Sequence, residues 1–244
     1  MSLKHLESLS ITNFSAITVL ISISFLKGLT KLQLISLDSL TGVSFLKDLP
    51  CIQFLSLSCQ SLLDYTPLQS SKNLLSLELV FYGHSLEFMC DLTRINTLKL
   101  SIIPSFVDLL HLKCLINIEF LTLELQTLIH HDVDYPVSDS QFDLVFGSLF
   151  KLTDLDIIGF HFTSLYFLSK RLRLTHLSLS QCNQLKDVSV LASLPFITAL
   201  SLYFCHEISD ISPVVNSTIS TITIHKCYDL HDFSCLLAIL IFVV

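Results

Sequence analysis

Histidine and aspartate side chains stand close together at one point of the sequence, where they could coordinate a metal ion. His130, His131, Asp132 and Asp134 lie within five residues. Imidazole and carboxylate groups are common ligands of zinc and other divalent metals. Four ligands packed so closely along a chain rarely surround a single ion, because a closed site draws its ligands from separate segments. We therefore expect a polar loop here and no bound metal.

Three cysteines recur at nearly equal intervals, which also suggests metal chemistry. Cys182, Cys205 and Cys227 end the segments LSLSQC, LSLYFC and ITIHKC. Side chains at equivalent places in stacked strands run parallel, roughly 5 Å apart, and do not converge on one ion. We expect them to be buried as small apolar side chains whose S–H groups donate weakly to backbone carbonyls. The remaining cysteines are expected as scattered core or surface residues without a disulfide framework: Cys51, Cys59, Cys90, Cys114 and Cys235.

Catalytic signatures are missing from the sequence. It contains no GxSxG, HExxH, Walker or CxxC pattern, which are the spacings that nucleophiles, metalloproteases, nucleotide loops and dithiols require. Serine and histidine are frequent, but the periodicity described below accounts for their positions. We predict that the chain is not an enzyme and carries no cofactor.

Composition narrows the class of protein further. Half of the chain, 51%, is hydrophobic and only 14% is charged, so enough apolar surface is available to drive folding. The formal net charge is −7, whereas proteins that bind nucleic acid usually display a basic stripe that neutralises phosphates. We expect a folded chain that binds no nucleic acid.

A repeated pattern, LxxLxL, organises the whole chain. It occurs ten times, and its middle residues step by 21 to 23 residues except for one step of 34. A fixed period of this length is the signature of stacked-repeat architecture. The middle residues are Leu9, Leu32, Leu55, Leu77, Leu98, Leu121, Leu155, Leu177, Leu200 and Ile222.

Each repeat changes its hydrophobic period partway through. In repeat eight, Leu177 and Leu179 alternate, and apolar residues then follow at every third place: Leu185, Val188, Leu191 and Leu194. Alternation indicates a strand, and spacing by three suits a 3₁₀ or helical return. We predict an α/β solenoid of about ten short parallel strands with 3₁₀, helical or extended returns. It should curve with its strands on the concave face and form a single domain over residues 1–234.

The long step marks an insertion at about residues 126–150, between repeats six and seven. Residues 138–149 read as a short helix, with Ser138 or Ser140 available as its N-cap. Its apolar face should comprise Phe142, Val145, Phe146 and Leu149. Insertions in repeat arrays often lie on a binding face, so this segment is the second candidate contact region.

The segment LTHLSLSQCNQLKDVSVLASLPFITALSLYFCHEISDISPV resembles leucine-rich repeats of the short, 22-residue kind. Asp-Val-Ser at 187–189 and Asp-Ile-Ser-Pro at 210–213 carry the closest likeness. Similar repeats occur in internalin-like proteins, in the regulatory subunit of protein phosphatase 1 and in protozoan adenylate cyclase regulators. The likeness covers essentially the whole chain, strongly in repeats eight to ten and loosely in repeats four to six. It implies a shared scaffold, but the partners differ among these families.

A protein-binding scaffold is the function that these observations favour, with another protein of unknown identity bound on the concave face. The contact residues are predicted among the variable strand positions, namely Asp154, Asp156, His176, Ser178, Gln181, Ser201, Tyr203, Phe204, Thr223 and His225. Tyr203 and Phe204 could equally cover the end of their strand. The alternatives are a regulatory subunit that docks on a phosphatase or adenylate cyclase, a surface repeat antigen, and a degenerate fragment.

The C-terminal stretch CLLAILIFVV, residues 235–244, is the longest apolar run in the sequence. Its ten residues fall short of the roughly 20 that a transmembrane helix needs. We interpret it as a truncated repeat, with a tail anchor as the alternative. The N-terminus has no secretory signal pattern, so a cytoplasmic protein is expected. The cell surface becomes the alternative if a signal and an anchor belong to a longer chain.

Overall fold

The computed structural model describes residues 3, 5–102, 109–126, 139–169 and 173–236. The chain divides into two compact units, unit one from Met1 to Ile118 and unit two from Glu119 to Val244. The single domain over residues 1–234 stays a prediction. The predicted ligands at 130–134 and the apolar end at 237–244 lie outside the described residues.

Parallel strands occur in both units at the predicted repeats, and each pairs with the next along the chain within its unit. Unit one contains β1 (Ser8–Thr12), β2 (Lys31–Ile35), β3 (Phe54–Ser58), β4 (Ser76–Phe81) and β5 (Thr97–Ile102). Unit two contains β6 (Phe120–Leu125), β7 (Asp154–Ile158), β8 (His176–Ser180), β9 (Ala199–Tyr203) and β10 (Thr221–His225). The ten predicted strands are confirmed.

The apolar residues of each LxxLxL pattern point into the core of their unit. Leu55 is paired with Leu32 on one side and Leu77 on the other, and all three are fully buried. Residues between them on the strands face the other side, because successive side chains of a strand alternate. A repeat thus buries its apolar row only against its neighbours, as expected for a stacked array.

Short 3₁₀ helices form most of the returns, as the three-residue spacing predicts. In unit one they span Ile21–Phe25, Ser44–Asp48, Thr66–Ser70, Glu87–Asp91 and Leu109–Cys114. In unit two they span Tyr166–Ser169, Ser189–Ser193 and Ser212–Asn216. The predicted apolar rows are buried: in repeat eight Leu185, Val188, Leu191 and Leu194 are each at most 4% exposed.

An aspartate precedes several returns and accepts a hydrogen bond at the point where the helical turn begins. Asp187, Asp210 and Asp232 each accept a hydrogen bond from the backbone N–H of the serine two residues later, at 2.8, 2.7 and 2.8 Å. Such turns satisfy a backbone donor that the helix itself leaves unpaired. The Asp-x-Ser motifs that carry the family likeness are therefore structural.

A residue in the left-handed backbone region follows several strands and turns the chain into its return. After β7 this residue is Gly159, with φ of 79°, and its N–H donates to Ser180 O at 2.8 Å. Gln181 and Phe204 repeat this arrangement after β8 and β9, with φ of 56° each. Left-handed φ disfavours side chains with a Cβ, so glycine at 159 removes that cost.

The insertion contains the predicted helix, α1, which spans Asp139–Phe146. It is shorter than predicted, and Ser140 lies within it and not at its N-cap, while the other N-cap candidate, Ser138, lies outside the described residues. Its apolar face is confirmed, because Phe142, Val145, Phe146 and Leu149 are all buried. The Phe142 ring contacts the rings of Phe146, Phe160, Phe162 and Phe167, with centroids 5.0 to 5.8 Å apart.

The three recurring cysteines are buried where the turn follows each strand, as predicted. Each thiol points at backbone carbonyls; Cys205 Sγ, for example, lies 3.6 Å from Leu179 O and 3.5 Å from Tyr203 O. Cys59 occupies the equivalent place in repeat three. The spacing of the other three cysteines does not predict this, because the turn before Cys59 is one residue shorter. Its Sγ lies 3.6 Å from Leu34 O, and burial raises its pKa to about 11.

The expectation that Cys90 and Cys114 are scattered residues without a disulfide is wrong. They form a disulfide between the returns of repeats four and five, with Cα atoms 4.9 Å apart. Their 24-residue separation is close to one repeat, so stacking brings them together. The sequence pattern missed the pair because the two cysteines occupy neighbouring, not identical, places in their returns.

None of the helices in the described ranges has the length and apolar character required to span a bilayer.

Candidate functional site

The strand side that faces away from the core forms a polar surface in unit two, here called the outward face. Strand register aligns its side chains in three rows that run across the strands. The first row is Phe120, Asp154, His176, Ala199 and Thr221; the second is Thr122, Asp156, Ser178, Ser201 and Thr223; the third is Glu124, Ile158, Ser180, Tyr203 and His225.

Eight of the ten predicted contact residues lie on the outward face, and the other two, Gln181 and Phe204, directly follow β8 and β9. All ten are at least partly exposed. Asp156, Ser178, Ser201 and Thr223 are direct register neighbours and form most of the second row. The repeat thus brings residues that are far apart in sequence into one line.

An aromatic cluster lies at the ends of β9 and β10. The His225 ring is 5.6 Å from the Phe204 ring, edge to face, and 6.3 Å from the Tyr203 ring. Lys226 Nζ lies 5.2 Å from the centre of the Phe204 ring. This spacing suits a cation–π interaction, which orients the ammonium group over the ring. The cluster thus combines partly exposed rings with a positive charge.

His206 and Tyr228 extend the cluster, although the sequence did not single them out. Their rings stack with centroids 4.6 Å apart and planes only 5° from parallel. Each follows a buried cysteine by one residue, and they are 22 residues apart. That shared repeat position was the signal available in the sequence. Tyr228 is 63% exposed, so the cluster reaches well into solvent.

Phe204 is held in a backbone conformation that bulky residues rarely adopt. Its φ is 56°. The other described residues with positive φ are Asn13, Ser36, Gly159, Gln181 and Lys226. A left-handed conformation costs about 1–2 kcal/mol for a residue with a side chain. Strain of this kind is a reason to test the residue for function.

Carboxylates occupy the other end of the outward face. Asp154 Oδ1 lies 3.1 Å from His176 Nδ1, and Thr153 Oγ1 donates to Asp154 Oδ2 at 2.7 Å. On the neighbouring row Thr122 Oγ1 donates to Asp156 Oδ2 at 3.3 Å. Asp154 is thus paired with the His176 imidazole, while the exposed carboxylate of Asp156 accepts a hydrogen bond from a neutral hydroxyl.

Among the described residues, no group of three or more His, Cys, Asp or Glu side chains has a geometry that could hold a metal ion. In unit one a pocket of about 220 Å³ is lined by residues 63–66, Gln69, His84, Ser85, Glu87 and Phe88. The Asp64 carboxylate in its wall accepts hydrogen bonds from Thr66, which lower the Asp64 pKa. Asp64 lies just before the 3₁₀ helix Thr66–Ser70, so the start of that return explains its hydrogen bonds.

The parallel strands, the 3₁₀ returns and the 21- to 23-residue period together define the leucine-rich-repeat fold. Solved structures similar to this chain have the same fold. Internalin C2 of Listeria monocytogenes is 21% identical, with a TM-score of 0.51 over 89% of this chain and 80% of that one. A leucine-rich-repeat protein of Leptospira interrogans is 18% identical, with a TM-score of 0.60 over 94% of this chain and 66% of that one.

No protein-family model matches the chain, and no curated protein does. At these identities the structural likeness concerns the fold alone.

Proposed function

We propose that this chain is a scaffold that binds another protein through the outward face of unit two, the side that is concave in a curved leucine-rich-repeat array. The observation that carries the proposal is the partly exposed cluster of Tyr203, Phe204 and His225. Aromatic side chains supply much of the binding energy at protein interfaces. These three side chains are not part of the buried apolar core.

Rigidity supports the same proposal. Each of β7, β8 and β9 is hydrogen-bonded to a strand on both sides, so their outward side chains stand on a fixed backbone. A preorganised surface loses little conformational entropy when a partner binds. Small hydroxyl side chains beside the aromatic cluster leave room for a partner and offer both donors and acceptors.

A protein is the proposed partner, and a nucleic acid is not. The net charge of −7 disfavours binding to phosphate groups, and Asp154 and Asp156 lie on the proposed surface itself. We propose a binding role without catalysis, since the sequence contains none of the catalytic signatures considered above.

A phosphatase or an adenylate cyclase remains a candidate partner only through the family resemblance. Co-purified phosphatase or cyclase activity, measured on the chain isolated from the cells that produce it, would identify that regulatory role. Its consistent absence would remove it and leave the general scaffold role intact.

The disulfide between Cys90 and Cys114 favours the surface or secreted alternative over the cytoplasm. Disulfides persist in oxidising compartments and are rare in the reducing cytosol. Alkylation of the chain in intact source cells, followed by mass spectrometry, would decide between the two. Alkylated Cys90 and Cys114 would indicate the cytosol, and a linked peptide pair would indicate an oxidising compartment.

The test of the scaffold proposal is a triple substitution, His176→Ala, Tyr203→Ala and Phe204→Ala, in the full tagged chain. We expect the specific partners recovered from source cells to fall at least tenfold in quantitative mass spectrometry. A tenfold change corresponds to about 1.4 kcal/mol, which is modest for interface anchors.

The matched control is Tyr166→Ala, Phe196→Ala and His231→Ala, which removes the same residue types from exposed positions of unit two off the outward face. This control should retain every partner. Circular dichroism and thermal melting would verify that both variants fold. A folded test variant that keeps all its partners would contradict the proposal.

A further inference from the structure

Charge is distributed unevenly across the outward face of unit two. Carboxylates lie on β6 and β7, at Glu124, Asp154 and Asp156. The outward residues of β9 are Ala199, Ser201 and Tyr203, none of which is charged. A positive charge lies at the end of β10, where Lys226 follows His225. The face is therefore acidic at one end and cationic and aromatic at the other.

The second row joins the two ends by a path of small side chains. Register sets Asp156 beside Ser178, Ser178 beside Ser201, and Ser201 beside Thr223. Tyr203 and His225 stand in the adjacent row and border this path on one side. Neighbouring strands are about 4.8 Å apart, so Asp156 and Thr223 are separated by about 14 Å. A single extended peptide segment advances that far in about four residues.

The two ends differ in how their charges are held. Asp154 already faces His176 at 3.1 Å, whereas within the described ranges the exposed Asp156 carboxylate accepts a long hydrogen bond, 3.3 Å, from the Thr122 hydroxyl. Lys226 is held over the Phe204 ring, which leaves the ammonium hydrogens directed away from the ring available to an anion. Asp156 and Lys226 are thus the two charges best placed to recognise a partner.

We infer that the partner segment is dipolar and extended. A lysine or arginine lies against Asp156, and about four residues further on an aromatic or aliphatic side chain packs on Tyr203 and Phe204, beside a carboxylate that pairs with Lys226. The inference rests on the proposed scaffold function and specifies the chemistry of its partner. Opposite charges at the two ends fix the direction in which the segment crosses the strands.

A library of random twelve-residue peptides displayed on phage, selected on the immobilised full chain, tests this inference. The enriched peptides should contain a basic residue about four positions from an apolar–acidic pair. Asp156→Lys and Lys226→Glu should each weaken these peptides at least tenfold. Peptides whose basic residue is changed to glutamate should regain binding to the Asp156→Lys variant.

Matched controls carry the same charge changes elsewhere. Asp38→Lys and Lys47→Glu alter exposed residues of unit one and should change peptide affinity less than twofold. Enriched peptides without the charge pattern, or with affinities that Asp156→Lys and Lys226→Glu leave unchanged, would overturn the inference. So would a selection that enriches no peptide. The scaffold proposal is judged separately, by partner retention in the triple variant.

Discussion

Aspartates at the start of successive returns show how one residue sets local structure in this fold. Asp187, Asp210 and Asp232 each accept a backbone N–H two residues later. Hydrogen bonds from the Ser189 side chain first, and from its backbone second, lower the pKa of Asp187. The backbone hydrogen bond of Ser234 does the same for Asp232. The folded chain therefore favours the charged forms of Asp187 and Asp232.

Asp187→Ala should lower the free energy of unfolding by about 1 kcal/mol at pH 7, because a backbone donor loses its partner. The folded-state pKa of Asp187 is depressed, so its contribution is present above the unfolded carboxyl pKa of about 4 and is lost as pH falls through the folded value. Urea titrations at pH 7 and at pH 2 would measure the difference, which should shrink at pH 2. Asp38→Ala, an exposed carboxyl in unit one, is the control. Equal losses for both variants would contradict the expectation.

Gly159→Ala should destabilise the chain by about 2 kcal/mol, because left-handed φ and a steric clash both oppose a Cβ. The backbone has φ of 79°, and the new Cβ would lie 2.8 Å from Leu125 O. Gly42→Ala is the matched control, since its Cβ would meet nothing within 4 Å. Urea midpoints at constant slope measure both variants. An unchanged midpoint for Gly159→Ala would show that this turn relaxes freely.

Helix α1 illustrates how an inserted element joins the core. The Phe142 ring packs on rings of its own helix and of repeat seven, at centroid distances of 5.0 to 5.8 Å. Phe142→Ala should cost about 3–5 kcal/mol, since it opens a cavity in an enclosed aromatic cluster. Phe150→Ala, at a residue 56% exposed, should cost less than about 0.5 kcal/mol. Similar losses in chemical denaturation would mean that the cluster is not a tightly packed core.

The disulfide links two returns in unit one. Replacing Cys90 and Cys114 together by serine should lower the free energy of unfolding by about 3 kcal/mol, because the cross-link constrains the unfolded chain over 24 residues. A reducing agent should destabilise the original chain to a similar degree and leave the double variant unchanged. Cys51→Ser, at an exposed free cysteine, controls for loss of a thiol. Insensitivity of the original chain to reductant would contradict a stabilising bond.

At the scale of a whole unit, stability should behave as a sum over neighbouring repeats. Leu200 is 1% exposed and pairs with Leu177 and Ile222. Leu200→Ala should therefore speed amide hydrogen exchange in β8, β9 and β10 more than in β6. Exchange followed by mass spectrometry would measure this gradient, with Ser201→Ala as a neighbouring surface control. Uniform acceleration across unit two would indicate an all-or-none unit instead.

Periodicity made the fold predictable, because each repeat carries its own alternating strand residues and its own apolar row. The same rule predicted the buried face of α1 and the burial of Cys182, Cys205 and Cys227. The repeat pattern did not predict features that involve different places in neighbouring repeats. The Cys90–Cys114 bond and the place of Cys59 both depend on turns that differ in length from one repeat to the next.

The strands, the returns and the residues that face outward can all be predicted from the sequence, since they follow from local spacing and from the need of each repeat to bury an apolar row. Which outward residues meet depends on how neighbouring repeats pack against each other. Strand register aligned Asp156 with Ser178, Ser201 and Thr223, and stacking joined His206 to Tyr228. These contacts depend on the register between neighbouring strands, which a repeat acquires only when it stacks on the next one.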